Sequence, residues 1–288
     1  MSSLTVARKD FRDAIQSRAL WALVLTFLVF SVITAYGYTE APELFGGEAE
    51  ATFGGLVFFL LAFTALFVPL VAIVVGYKSI AGERELGSIK LLLSLPTTRK
   101  QVFVGKVLGR GAVLMTGLSI GIVVGLLVGA VLIGSIDLYA LVAFVGLTLL
   151  FTAVYAVIMV SISATTGSTT RATTYAIGFF LLFELIWDVV PLAIVYVVEG
   201  FSIPSEFPPW VYIVTQVSPS TAYSSGLLAL LPDIADSLGE NTGGGTAGDV
   251  GSGPEPFYQT PELGLVMLAF WLVVPLVVGY VRFERADL

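Results

Sequence analysis

Phe53-Gly-Gly-Leu-Val-Phe-Phe-Leu-Leu-Ala-Phe-Thr-Ala-Leu-Phe-Val-Pro-Leu-Val-Ala-Ile-Val-Val-Gly-Tyr77 is a run of 25 residues without one charged side chain. A helix needs about 20 mostly apolar residues to cross a bilayer, so this stretch predicts a membrane span. Five further stretches read the same way: Ala19–Tyr38, Gly111–Ser135, Leu138–Ser163, Thr173–Val198 and Leu263–Val281. Together the six take up about half of the 288 residues. Hydrophobic residues make up 57% of the chain and charged residues 12%. Soluble domains carry about 25% charged residues. The mean hydropathy of +0.95 therefore belongs to a chain that meets lipid over most of its length. The first stretch is too long for the apolar core of a signal peptide, and five more spans follow it.

What is missing narrows the chemistry. With no Cys there is neither a disulfide nor a thiolate nucleophile, and with no His there is neither a Ser-His-Asp triad nor a zinc-protease helix. A net charge of −7 argues against nucleic acid as a partner. No metal-ligating cluster is read from the sequence. Gly105-Lys106 is followed by Val107 and lacks a glycine five residues earlier, so no phosphate-binding loop is present.

The bases set the topology. Every one of the 14 Lys and Arg residues lies before span one, between spans two and three, between spans four and five, or after span six. With six spans these segments share one side, and the positive-inside rule puts that side and both termini in the cytoplasm. The opposite loops hold thirteen acids and no base, from Glu40 in the first to Glu262 in the third. Such a surface suits a very salty exterior, where repulsion is screened, and points to a halophilic source.

Between the spans lie three further features. Residues 3–18 place Leu4, Ala7, Phe11, Ala14 and Ile15 at helical spacing among Arg8, Lys9 and Arg12, which predicts an amphipathic helix in the cytoplasmic interface. In residues 78–110, Glu83 and Glu85 suit a helix start, and Leu86, Ile89, Leu92 and Leu93 form one apolar face. Pro96 stops that helix, and Thr98 with Gln101 forms a capping box that starts the next. In the third outer loop, residues 199–262, the apolar stretch Trp210–Leu231 is not a seventh span, because that would put Arg282 and Arg285 outside. It is read as interfacial or re-entrant at the outer face. Gly239–Pro256 reads as a flexible tether.

Only span five contains charges. Glu184 and Asp188 are four residues apart and so share a face of a regular helix. Glu184 lies about 17 Å along such a helix from its cytoplasmic start, near mid-membrane. A charged group there costs about 2.5–3.5 kcal/mol on insertion scales, so either the face lines a path or a subunit interface, or Glu184 hydrogen-bonds Ser, Thr or Tyr neighbours while protonated and Asp188 reaches the outer water. Pro69, Pro191 and Pro275 are expected to kink their helices.

The segment Gly82-Glu-Arg-Glu-Leu-Gly-Ser-Ile-Lys-Leu-Leu-Leu-Ser-Leu-Pro96, followed by Thr97-Thr-Arg-Lys-Gln-Val-Phe-Val-Gly-Lys-Val-Leu-Gly109, resembles the signature of type-two ATP-binding-cassette permeases. Glu83, Arg84, Glu85, Gly87, the Leu91–Leu93 run, Pro96, Arg99, Gly105 and Lys106 carry the likeness, which is greatest to the NosY-like branch. The resemblance implies an all-α integral membrane protein of six spans, with an interfacial N-terminal helix, a cytoplasmic coupling helix between spans two and three, and an outer segment before span six. It implies a non-catalytic exporter subunit in the cell membrane that pairs as a homodimer in lipid and docks a separate ABC ATPase subunit. That subunit would hydrolyse ATP with Mg, and this chain would bind no cofactor. Gly82, Glu83, Arg84, Glu85, Leu86, Gly87, Ile89, Leu92, Leu93 and Pro96 would form the coupling site. Two other readings stay open at this level: a secondary transporter using Glu184 and Asp188, and a membrane scaffold without transport.

Overall fold

The computed structural model describes residues 3–45, 51–94, 97–202, 204, 207–233 and 260–286. All the regular structure among them is helical. Helices α1 (Ser3–Ile15), α2 (Arg18–Phe45) and α3 (Phe53–Gly76) lead into two short helices, α4 (Ala81–Glu85) and α5 (Ser88–Ser94). Then come α6 (Arg99–Ile133), α7 (Leu138–Ala164), α8 (Thr169–Phe180), a π-helical turn (Leu181–Ile186) and α9 (Val189–Val198). Helices α10 (Pro209–Thr215), α11 (Pro219–Leu230) and α12 (Glu262–Glu284) complete the chain.

Local chemistry marks the helix ends. At α6 the capping box of Thr98 and Gln101 is formed, and Gly134 closes the far end with a left-handed φ of 76°. Asp137 caps α7 by accepting from the Ala140 N–H at 3.0 Å. Thr52 does the same for α3. Helix α6 therefore runs without interruption from the basic loop into span three.

Five helices among the described residues are long and apolar enough to cross a membrane, and α8 with α9 makes a sixth if the bent pair counts as one span. The protein is a multi-pass membrane protein. Span five, expected to kink at Pro191, is bent by 57° between its halves. Pro191 helps explain the break. It lacks an N–H, and its ring disfavours a helical carbonyl four residues earlier, at Trp187. Helices α3 and α12 continue through Pro69 and Pro275.

Helix α7 is the hub. Phe144, Phe151 and Tyr155 are wholly buried in the main core, and α3, α6, α11 and α12 all pack on α7. One face of α6 is a ladder of glycines that lets its neighbours approach closely. A Cβ at Gly105 would lie 2.6 Å from Val6 Cβ, and one at Gly117 would lie 2.7 Å from Val24 Cγ2. The lower rungs thus seat α1 and the upper rungs seat α2.

Helix α1 differs in its facing. The buried side is Val6, Ala7, Asp10 and Ala14, while Leu4 is 72% exposed. The helix is turned because Asp10 finds cations on α6, described below. Pro96, the side chains of Leu92 and Leu93, and Gly239–Pro256 lie outside the described residues.

Candidate functional site

Two polar junctions stand out, one at the end of the bundle that carries the bases and one inside it. The first is built around α4. Helix α3 ends at Gly76, and Ser163 of α7 receives the turn that follows. Its Oγ accepts from the N–H groups of Ile80 and Ala81, each at 3.0 Å, and donates to the Tyr77 carbonyl at 2.7 Å.

Lys106 of α6 then donates to Glu83 Oε1 at 2.6 Å and to Asp10 Oδ1 at 2.8 Å. Arg110, one turn further along α6, pairs with Asp10 Oδ2 at 2.9 Å. Two carboxylates and two cations thus join α1, α4 and α6, with Asp10 and Lys106 buried. Arg84 Nη1 donates to the Ala164 carbonyl at 3.2 Å. Glu85 Oε2 accepts from the Thr169 N–H at 2.9 Å. Hydrogen bonds from the Thr169 hydroxyl and N–H hold the Glu85 carboxyl below its ordinary pKa, with a smaller contribution from Lys78.

Among the described side chains of the motif, one large apolar group is left outside: Leu86 is 84% exposed. The sequence suggested one helix over 82–94 with Leu86 and Ile89 on a common face. The structure corrects this. Gly87 has a φ of +72°, a left-handed conformation that glycine tolerates and that ends α4 before α5 begins. The break sends Ile89 inward, 1% exposed, against Ile80, Val102, Phe103 and Phe283, while Leu86 points out. Gly82 sits inside α4, where a Cβ would meet only Lys78 and Thr169 at ordinary contact distances.

The second junction lies at the broken span. Glu184, in the π-helical turn, accepts from the hydroxyls of Tyr155 on α7 and Ser220 on α11. Ser218 donates to the Phe183 carbonyl at 2.9 Å, and Trp187 Nε1 donates to the Val214 carbonyl at 2.7 Å. Asp188 is exposed, 3.3 Å from the Thr221 hydroxyl. The π turn and the bend mean that Glu184 and Asp188 do not lie on one straight helix. They meet successive residues of α11 instead.

Helices α10 and α11 form a hairpin that turns back within the bundle. The far end of α11 is held where α7 begins, by Tyr139 donating to the Leu230 carbonyl at 2.9 Å. Its start reaches Ala65, halfway along α3, through Ser220. Tyr223 stacks on Phe151 with centroids 4.3 Å apart, and its hydroxyl lies 2.6 Å from that of Thr148. Within the Trp210–Leu231 stretch, α11 packs along α12, α7 and α3.

Sequence reasoning missed Asp10 and Ser163. An acid set among the bases of an amphipathic helix was the available signal for Asp10, though Asp13 shares it; Ser163, one polar residue at the end of an apolar run, offered none.

Comparison with known proteins gives concordant results. The family model for "ABC-2 family transporter protein" matches residues 4–288. A protein of Stutzerimonas stutzeri named "Probable ABC transporter permease protein NosY" is 28% identical over 285 residues, 97% of each chain. A Pseudomonas aeruginosa protein of the same name is 35% identical over 118 residues, 41% of this chain and 42% of that one.

Proposed function

The chain belongs to the ABC-2 family of transporter proteins, and from that premise we propose how it works. It is a membrane permease subunit of an ABC transporter. We read it as the permease of an exporter in the cell membrane, paired as a homodimer, with both termini in the cytoplasm. An ABC ATPase subunit docks on residues 82–94 and hydrolyses ATP with Mg on its own surface.

The observation that carries the docking reading is Leu86. Polar groups of the motif are engaged within the chain, yet this leucine stands 84% exposed beside them at the basic end. An apolar knob on a firmly held segment suits insertion into a groove of a partner, where buried apolar anchors carry most of the binding energy. The junction of Asp10, Glu83, Lys106 and Arg110 supports this, because it ties the docking segment to both α1 and a spanning helix. Glu184 is read as a strut between the broken span, α7 and the hairpin, rather than as a substrate contact.

Co-expression with the ATPase subunit tests the reading. Leu86→Asp should lower the amount of ATPase that co-purifies by roughly tenfold, the scale of a lost interface anchor. Full recovery of the ATPase with Leu86→Asp overturns the docking site. Topology can be read from single cysteines against the cysteine-free background. In intact cells a cysteine at Ser135 should react with an impermeant thiol reagent, and one at Lys90 should be shielded.

A further inference from the structure

A helix start leaves N–H groups without partners inside the helix, and a side chain just before the helix commonly accepts from one of them. At α8 that position is Ser168, which makes no side-chain cap bond. The acceptor comes instead from Glu85, 84 positions earlier, whose Oε2 takes the Thr169 N–H at 2.9 Å. The turn before α8 is held on its other flank too. Arg84 Nη1 reaches the Ala164 carbonyl, and Ser163 binds the two N–H groups that open α4. A Cβ at Gly167, within that turn, would lie 3.5 Å from Arg84 Nε. Helix α4 therefore grips both the end of α7 and the beginning of α8.

These two anchors differ in what lies beyond them. Helix α7 is a continuous rod of 27 residues, buried over most of its length beyond the first turns. Helix α8 is 12 residues long and ends in the π-helical turn and the 57° bend. A π turn is a local irregularity that can take up rotation or translation of one flank relative to the other. A push on α4 meets a stiff element through α7 and a hinged one through α8.

We propose that Glu85 is a positioning residue that carries movement of the docking segment into α8, so that the bend of span five changes when the ATPase binds nucleotide. This rests on the reading of 82–94 as the docking segment. Glu85 caps α8 from the moving side, and the π turn converts displacement of α8 into a changed angle against α9. The hydrogen bonds of Glu184 and of the Phe183 carbonyl hold the π turn to α7 and α11, so it serves as the fulcrum.

The test uses the full complex with its ATPase subunit. Spin labels go on cysteines at Thr174 in α8 and Val198 at the end of α9, both exposed. Their distance is measured without nucleotide and after trapping with MgATP and vanadate. In the otherwise native chain the distance should shift on trapping. In Glu85→Ala the shift should vanish, and permease-dependent ATP hydrolysis should fall roughly fivefold, the low end of typical coupling between sites. Co-purification of the ATPase should fall less than in Leu86→Asp. Glu85→Gln, which keeps an acceptor oxygen, should fall between the two.

Ser168→Asp added to Glu85→Ala gives α8 a cap of its own. It should restore slow hydrogen exchange in the first turn of α8 without restoring the shift. A normal shift in Glu85→Ala overturns the proposal, as does its return with Ser168→Asp or the absence of any shift in the native complex. A loss of co-purification in Glu85→Ala as large as in Leu86→Asp also overturns it, because Glu85 would then act on the partner rather than through α8. Failure of the docking reading is separate: it shows as intact co-purification in Leu86→Asp.

Discussion

At the basic end Lys106 lies between the carboxylates of Asp10 and Glu83, with Arg110 alongside. Inside the bundle Glu184 lies between the hydroxyls of Tyr155 and Ser220. Both junctions tie three separate elements together, and they do so with opposite chemistry. At the end of the bundle, four ionised groups balance one another beside a cavity of about 100 Å³ lined by Lys9 and Asp13 as well. None of the six spans read from the sequence contains a Lys or Arg. A cation near the bilayer centre is costly, so the carboxyl there is matched by neutral donors carried on helices that must already be packed. The comparison teaches that charge does the joining where water is near, and hydroxyl hydrogen bonds do it where water is far.

The largest expected effect breaks the ionic junction. Lys106→Ala leaves two carboxylates without their shared cation and should destabilise the fold by about 3–5 kcal/mol, read as a lowered melting temperature in detergent. Replacing Asp10 and Glu83 by Asn and Gln in the same chain should recover part of that loss. If Lys106→Ala melts like the native protein, the buried ion cluster is not what holds α4 to α6.

Next comes Glu184. Removing it with Glu184→Ala strands the Tyr155 hydroxyl, leaves Ser220 only the Ala65 carbonyl, and should cost about 1–3 kcal/mol, while Glu184→Gln keeps an acceptor and should cost less. Glu184→Lys should abolish folded protein, because it brings a base where none is paired. Equal losses for Gln and Ala would mean that charge matters there, and the contrast between the two junctions would fall. A smaller effect is expected from Trp187→Phe, which removes the hydrogen bond to the Val214 carbonyl. It should cost about 0.5–1.5 kcal/mol and speed protease cutting of the α10–α11 hairpin.

The smallest effect is on pH. The Glu85 carboxyl is held below its ordinary pKa by the Thr169 donors. Its tie to α8 is therefore complete above the ordinary carboxylate range and is lost only as pH falls through the lowered value. Hydrogen exchange at Thr169, corrected for its intrinsic rate, should be flat from neutral to mildly acid pH and rise only below that. A rise at neutral pH would contradict the assignment.

Much of this was legible because single residues and short spacings carry it. The apolar runs mark spans on their own, since each apolar side chain prefers lipid regardless of its neighbours. Thr98 and Gln101 announce the start of α6 because a capping box closes within four residues. Gly87 was visible, but whether it sat inside a helix or ended one depended on where Ile89 could be buried. Pro191 signalled a kink in span five, but the π turn was hidden, because the hydrogen bonds that steady it come from Tyr155, Ser218 and Ser220.

By itself the sequence determined that this chain is a helical membrane protein, and it predicted that all its bases share one side with most of its acids opposite. It also carried the motif of the ABC-2 permeases. Those properties follow from transfer of individual side chains between water and lipid and from hydrogen bonds that close locally. Only the tertiary structure decided that Asp10 faces Lys106, that Glu85 caps α8, that Leu86 is left outside and that span five contains a π turn. Each of these joins groups far apart in the chain. Which partners meet is set by how the glycine face of α6 and the buried rod of α7 bring whole helices into register.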